Sequence, residues 1–247
     1  VHAQIITTIA GTAGVSGYAG NGGAASGAKL NMPYGITFDG SGNMYFCDYG
    51  NWVVRKINSS GTISLFAGDH TYSFGGDGGP ATLAQDKQVP GIAMDATGNI
   101  YFSDVSNVCV RKVDITTGII TTMAGTPGGA GNSGEGGQAT AAKFKQPLGI
   151  AIDNAGHLYI PDYGIGAACI LKVDLVTGII STFAGTGSVG FNGDAGPATT
   201  INIGPSDVAV DAAGNVYMTD YYMNLVTKIN TARKISTIAG TGNCSFL

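Results

Sequence analysis

Short apolar runs, broken by Gly, Asn and Asp, follow one another along the whole chain, and the same four runs recur in the same order. The first reads GITFD, GIAMD, GIAID and DVAVD in its four copies, and the second reads MYFCD, IYFSD, LYIPD and VYMTD. The third is VVRKI, CVRKV, CILKV and LVTKI, and the fourth is ISLFAG, IITTMAG, IISTFAG and ISTIAG. All are rich in β-branched and aromatic residues and too short for helices, so they predict strands. The Gly-Asn and Gly-His breaks between the first and second runs predict tight hairpins. The second run is apolar at nearly consecutive positions, which predicts a strand covered on both faces.

Register is fixed by Asp39, Asp95, Asp153 and Asp211, which stand 56, 58 and 58 residues apart, and by Asp48, Asp104, Asp162 and Asp220 at the same spacings. Tyr45, Tyr101, Tyr159 and Tyr217 keep step with them, as do Lys56, Lys112, Lys172 and Lys228. The repeated units are 33–68, 89–125, 147–185 and 205–240, and a further copy of the fourth run stands alone at 5–11. A fixed period of this length marks a repeat architecture. A four-stranded sheet covered on both faces and written again and again describes stacked β-propeller blades. The fold class is therefore all-β: a β-propeller of four-stranded antiparallel blades, four complete repeats plus one extra outer strand, in a single array over 1–247.

These residues also carry a resemblance. The pattern P-x-G-I/V-A/T-x-D, then a Gly-Asn turn, a Y-containing strand ending in Asp, R-K and ITTxAG resembles NHL repeats across 5–240. It is most similar to the bacterial-type variant whose blades are joined by loops reading A-G-T-G…G-D-G-G-x-A-T. The resemblance implies a propeller of about six blades. It also implies a range of activities, because relatives of NHL propellers include amidating lyases and lactonase-like hydrolases, and some NHL proteins bind RNA.

Between units run four connections of about twenty residues: 12–32, 69–88, 126–146 and 186–204. Plain loops of that length are uncommon inside compact domains, but each of these must travel from the outer strand of one blade to the inner strand of the next. Each carries a tight acidic or amide core, such as Asp77-Gly78-Gly79, followed by an Ala-rich tail that predicts a single helical turn. One carboxylate or amide per loop is too few oxygens for calcium. Side chains capping turn amides, with Gly supplying positive φ, explain the pattern better.

Asp48, Asp104, Asp162 and Asp220 recur in every blade, whereas an active site needs unlike groups at one place. They are expected to be structural, binding backbone where the second strand ends. Function is expected where the blades differ, in the turns between second and third strands. There Trp52, Tyr163, Tyr221 and Tyr222 would ring one face, an amphipathic set suited to sugar or protein. Pro161, which cannot donate a ladder bond, predicts an early end to its strand. The three histidines are His2, His70 and His157, and only His157 lies in a unit. One imidazole cannot make a His-rich zinc site, and there is no G-x-S-x-G elbow. No metal or cofactor is expected.

Charged residues make up 11% of the chain and the net charge is −4, which argues against a nucleic-acid groove. No apolar run approaches the ~18 residues of a membrane span. Cys109 and Cys169 hold matching places in adjacent blades, farther apart than a disulfide spans, so Cys47, Cys109, Cys169 and Cys244 read as small buried hydrophobes. Val1 to Gln4 resembles the end of a secretory signal. Asn58 and Asn243 head N-glycosylation sequons. The expected protein is a secreted or cell-surface, non-enzymatic binding or assembly module, its partner a protein, a carbohydrate or further copies of itself. The alternatives are a structural subunit of an extracellular surface or filament, and a propeller lyase or lactonase-like hydrolase. Six periods of about 57 residues would take roughly 340. The chain is therefore expected to be part of a longer array or to assemble with other chains, with 5–11 pairing outside the four units.

Overall fold

The computed structural model describes residues 5–242; the 1–4 segment, the Asn243 sequon and Cys244 lie outside the described residues. Sixteen strands form four antiparallel sheets of four, each a simple meander. Blade 1 is β1 (Pro33–Phe38), β2 (Met44–Asp48), β3 (Val53–Ile57) and β4 (Ile63–Ala67). Blade 2 is β5 (Ile92–Met94), β6 (Ile100–Asp104), β7 (Cys109–Val113) and β8 (Ile120–Ala124). Blade 3 is β9 (Ala151–Ile152), β10 (His157–Asp162), β11 (Ala168–Asp174) and β12 (Ile180–Gly187). Blade 4 is β13 (Pro205–Val210), β14 (Val216–Asp220), β15 (Leu225–Ile229) and β16 (Ile235–Ala239). In each long connection the Ala-rich tail forms one 3-10 turn, at Ala25–Gly27, Ala81–Leu83, Ala139–Ala141 and Ala198–Thr200.

The hairpins between first and second strands close on one carboxylate. Asp95 accepts bonds from the Thr97 and Asn99 backbone N–H groups, the Asn99 amide (2.9 Å) and the Tyr101 hydroxyl (3.0 Å). Asp39, Asp153 and Asp211 repeat this, with the His157 Nδ1 standing in for the amide in blade 3. The Asn215 amide, foremost among its partners, holds the Asp211 carboxyl down at about 2. In blades 1, 2 and 4 the repeated lysine lies over the opposite tyrosine ring, at 5.2 Å for Lys56 on Tyr45, 5.8 Å for Lys112 on Tyr101 and 5.5 Å for Lys228 on Tyr217.

Blades stack by burying one sheet face on the next. The trailing face of blade 1 (Tyr45, Cys47, Val54, Ala67) packs on Val89, Ile92, Ile100 and Phe102 of blade 2. Tyr101, Val110 and Ala124 meet Phe144, Ile150 and Leu158 in the same way, and Tyr159, Ile170 and Ala184 meet Ile203, Val208 and Met218. At the axis the inner strands nearly touch. The Gly35 N–H donates to Pro90 O (3.0 Å) and the Gly149 N–H to Ser206 O (3.2 Å). These strands line a central cavity of about 630 Å3, with Tyr34, Ile36, Ile92 and Asp207 among its walls. A Cβ at Gly91 would lie 2.6 Å from Leu148 O, so glycine is required there by space.

Two expectations are corrected. β10 does not end before Pro161 but runs through it to Asp162, with Pro161 opposite Ile170. The missing N–H faces the inner strand, where the Ser103 N–H of blade 2 donates to Gly91 O. Blade 3 therefore loses a bond to β9, which shrinks to two residues, while the Pro161 carbonyl still accepts from Leu148 (2.9 Å). Residues 5–11 form no strand, since no third strand stands beside them among the described residues. Cys47, Cys109 and Cys169 are buried free thiols, and burial pushes Cys169 up to about 12.

Replacing Gly91 by Ala should lower stability by about 1–3 kcal/mol, as overpacking against fixed backbone does. Gly40→Ala, at a position with open space around it, is the control. Thermal unfolding of the two variants checks this: equal midpoints would contradict the close approach at the axis.

Candidate functional site

The meander decides which loops share a face. Turns between first and second strands and between third and fourth strands fall on one side of the array. Turns between second and third strands fall on the other side, together with the long connections. Trp52, Tyr163, Tyr221 and Tyr222 all belong to that second side.

Each of these turns is anchored by the carboxylate that ends the second strand. Asp48 accepts from the Asn31 N–H (2.7 Å) and the Asn51 amide (2.8 Å). Asp104 accepts from the Lys87 N–H (3.0 Å) and the Asn107 amide (2.7 Å). Asp162 takes the Lys145 and Gln146 N–H groups, and Asp220 those of Gly204, Tyr222 and Met223. All four are buried. In blades 1 and 2 a 3-10 turn follows and closes on a left-handed residue, Trp52 (φ 58) or Val108 (φ 53). That conformation swings the Trp52 indole sideways toward the neighbouring connection.

The four aromatics separate into two clusters. Tyr163 and Tyr222 stack with centroids 4.9 Å apart and planes 7° from parallel, and Tyr221 meets Tyr222 edge-on at 5.3 Å. Its partnership with Tyr222 raises the Tyr163 phenol to about 12. Tyr221 is 75% exposed. These rings, with Gln146, Leu148 and Ser206, border a cleft of about 140 Å3 at the junction of blades 3 and 4. Trp52 lies apart, over the junction of blades 1 and 2. It packs on His70 (5.7 Å) and edge-on to Tyr72 (5.0 Å), while Tyr18 stacks on His70 (4.4 Å). The Lys87 ammonium lies 5.2 Å over Tyr72, and Tyr34 meets Tyr49 nearby at 4.9 Å. Sequence reading missed Tyr18, His70 and Tyr72, which come from the long connections. The Asn58 sequon occupies an exposed turn on the opposite side, its amide oxygen capping Ser60 and Thr62.

Beneath the connections that carry the Trp52 cluster lie two fully buried guanidiniums. Arg55 donates to Lys29 O, Ala19 O and the Asn21 amide oxygen. Arg111 donates to Gln85 O, Gly75 O, Asp77 (2.9 Å) and Asp86 (2.7 Å). The acidic loop tips are spent on their own blade: Asp77 also takes Thr122, Glu135 takes Thr182, and Asp194 takes Thr237. Asp86 is unusual, because the matching places in the other connections hold Leu30, Phe144 and Ile203. Burial raises the Asp86 carboxyl to about 6 and the Asp104 carboxyl to about 7.

The family model of the Teneurin NHL domain matches residues 123–203. Teneurin-3 of Mus musculus is 28% identical over 239 residues, covering 88% of this chain and 8% of its own length. Teneurin-3 of Danio rerio is 29% identical over 244 residues with the same coverage. An auxiliary nutrient binding protein from Bacteroides ovatus superposes with a TM-score of 0.61 at 16% identity, over 87% of this chain and 48% of that one. Streptogramin B lyase gives 0.55 at 17% identity, over 84% and 54%. The chain thus spans a small fraction of the curated relatives and about half of these solved chains, whose low identity speaks to the fold alone.

Two outcomes are expected. Asp104→Ala removes a buried acceptor from the Lys87 N–H, and should cost about 1.5–3 kcal/mol in denaturant titration. The second concerns pH. Asp86 and Asp104 have folded-state values above the unfolded carboxylate value near 3.9, so the native state keeps protons that the unfolded chain has released. The stability this contributes is complete below about pH 4 and is lost as pH rises through about 7. The thermal midpoint should therefore fall from about pH 5 to about pH 8. Asp86→Leu, which copies the residue of blade 1, should flatten that fall, and an unchanged slope would contradict the assignment.

Proposed function

The chain is an NHL-repeat β-propeller, and from that starting point we propose that it is a non-enzymatic, extracellular binding module. Its contact surface is the face that carries Trp52, Tyr163, Tyr221 and Tyr222, and its ligand is a protein or a carbohydrate. The observation that carries this reading is the stacked, solvent-open Tyr163–Tyr222–Tyr221 group at a cleft between two blades. Rings offer a flat apolar platform and a hydroxyl at its rim, at little cost in side-chain entropy. The residues beneath, the four clamping aspartates among them, are engaged in holding backbone and are not free for chemistry.

Favouring binding over catalysis, the central cavity is walled chiefly by backbone and apolar groups, with Asp207 its one carboxylate among the described lining residues. Hydrolase and lyase sites pair a base with an electrophilic partner, commonly a metal or imidazole. His70 and His157 are both engaged elsewhere, with Asn51 O and Asp153. No helix among the described residues is long and apolar enough to cross a membrane.

Tyr221→Ala with Tyr222→Ala should reduce binding at least tenfold on glycan and secreted-protein arrays, with the melting temperature within about 2 °C of the parent. A double variant that binds its array hit as tightly as the parent would refute the aromatic face as the contact surface. An Asn58→Gln variant on the opposite side is the control.

A further inference from the structure

The three junctions between consecutive blades are built from the same positions, and one of the three is hollow. Sixteen residues before each clamping aspartate stand Met32, Gln88, Gln146 and Gly204, and fourteen before it stand Tyr34, Pro90, Leu148 and Ser206. One residue after it stand Tyr49, Val105, Tyr163 and Tyr221, and two after it Gly50, Ser106, Gly164 and Tyr222. Where blade 1 meets blade 2 the space is filled. Tyr49 hydrogen-bonds Gln88, Gln88 accepts from the Ser106 hydroxyl, and Tyr72 reaches from the connection to Ser106 (3.2 Å). Where blade 3 meets blade 4 the wall is again a tyrosine, Tyr163, but Gly204 replaces the glutamine and Ser206 replaces proline or leucine. The cleft of about 140 Å3 bordered by the tyrosines is the room that these two exchanges leave. Both of its walls, and the connection 186–204 that joins them, lie inside the repeat array.

Its lining selects for size, charge and shape. At ~30 Å3 for each water in the liquid, the cleft has room for about five waters, and so for one ring-sized group. Drug-sized ligands take roughly 300–1,000 Å3. No charged side chain lines it among the described residues. Asp220 is spent on the Gly204, Tyr222 and Met223 N–H groups, and the Lys145 ammonium on Ile165 O. A charged group placed there would lose its water without gaining a partner. Tyr163 and Tyr222 are parallel and offset, with centroids 4.9 Å apart, so part of each face and the hydroxyl edges stay open, and Tyr221 stands edge-on beside them. Leu148 and Pro205 add apolar surface. Polar capacity sits at the margin. The Ser206 hydroxyl donates to Thr219 O (3.0 Å) and keeps its lone pairs for accepting. The exposed Gln146 carboxamide has no partner among the described residues, whereas its counterpart Gln88 is engaged.

Taking the aromatic face as the contact surface, as proposed above, we infer that this cleft is a subsite for one uncharged pyranose ring of a carbohydrate. A pyranose presents C–H groups on a face and hydroxyls around its rim. The C–H groups, faintly positive, lie against the electron-rich faces of Tyr222 and Tyr163, as the edge of one aromatic ring lies on the face of another. The rim hydroxyls meet the Gln146 carboxamide, which both donates and accepts, the Ser206 oxygen and the tyrosine hydroxyls. A peptide side chain meets only part of this set. Aliphatic and aromatic side chains leave the polar margin unpaired, and Lys, Arg, Asp and Glu bring a charge that nothing in the cleft answers.

The test is saturation-transfer NMR with calorimetry on the whole chain. The probes are the methyl glycosides of glucose, galactose and mannose, their uronic acid counterparts, and a capped Ala-Leu-Ala peptide. At least one neutral glycoside should bind with a dissociation constant of about 1–10 mM, the range open to a single small ring. Its uronic acid form and the peptide should bind about tenfold more weakly or not at all. Ser206→Leu, which copies Leu148 of blade 3 and fills the cleft, should weaken the glycoside by about tenfold or more. Gln146→Ala, an exposed change that leaves the packing alone, should weaken it about threefold or more, and both variants should keep the parent's circular dichroism spectrum. No neutral glycoside bound at about 50 mM, a Ser206→Leu variant of parental affinity, or a uronic acid or peptide that binds as well as the neutral sugar would overturn the inference. A protein ligand lost in the Tyr221→Ala, Tyr222→Ala variant, with no glycoside bound, would remove the sugar subsite and leave the aromatic face as the contact surface.

Discussion

The contact on which the candidate surface depends is a buried carboxylate answering backbone N–H groups that no strand can satisfy. A connection of about twenty residues returns from the rim to the axis in each repeat, and its last residues cannot join a ladder. Asp48, Asp104, Asp162 and Asp220 accept those orphan donors at the end of the second strand. A buried N–H without an acceptor is costly, so the position is filled in every blade. One side chain thereby sets where the connection ends, where the inner strand begins and how the adjoining turn is held. The aromatic clusters rest on turns fixed in this way.

What was legible in the chain was whatever repeats. Four copies of each strand, with Asp and Tyr in step, announced the blades, because a fixed period leaves few architectures open. The 3-10 turns were visible in the Ala-rich tails for the same reason. Pro161 points the wrong way in the sequence because a missing N–H need not end a strand: its carbonyl side still holds the ladder and only the inner partner is shortened. Local patterns said nothing of Tyr18, His70 and Tyr72 gathering around Trp52, since those contacts cross between connections and follow from the left-handed turn at Trp52. Asp86 was missed although a signal existed: alignment of the connections places it against Leu30, Phe144 and Ile203, a charge where its counterparts are apolar.

The division of labour on this scaffold follows from its symmetry. Groups present in every blade hold backbone together, and the groups that differ lie on the turns and connections of one side. The two aromatic clusters have different characters. The Trp52 group is knitted between connections, with Trp52 and Tyr18 half-buried and His70 and Tyr72 exposed, whereas the Tyr221 group borders a cleft at a blade junction with Tyr221 the most open of its rings. A ligand reaching the second needs no rearrangement of the fold beneath.

The buried arginines divide the molecule along its length. Arg55 and Arg111 each staple a connection to the third strand of blades 1 and 2, but the same places in blades 3 and 4 hold Leu171 and Thr227, which reach no carbonyl of the connection. In a stack where each repeat is stabilised chiefly by its neighbours, such inequality gives the cooperative units different opening free energies. Amide hydrogens in the connections of blades 3 and 4 would then exchange through local openings that leave blades 1 and 2 closed. Fraying acquires a direction, and the more readily opened end is the one that bears the exposed tyrosines.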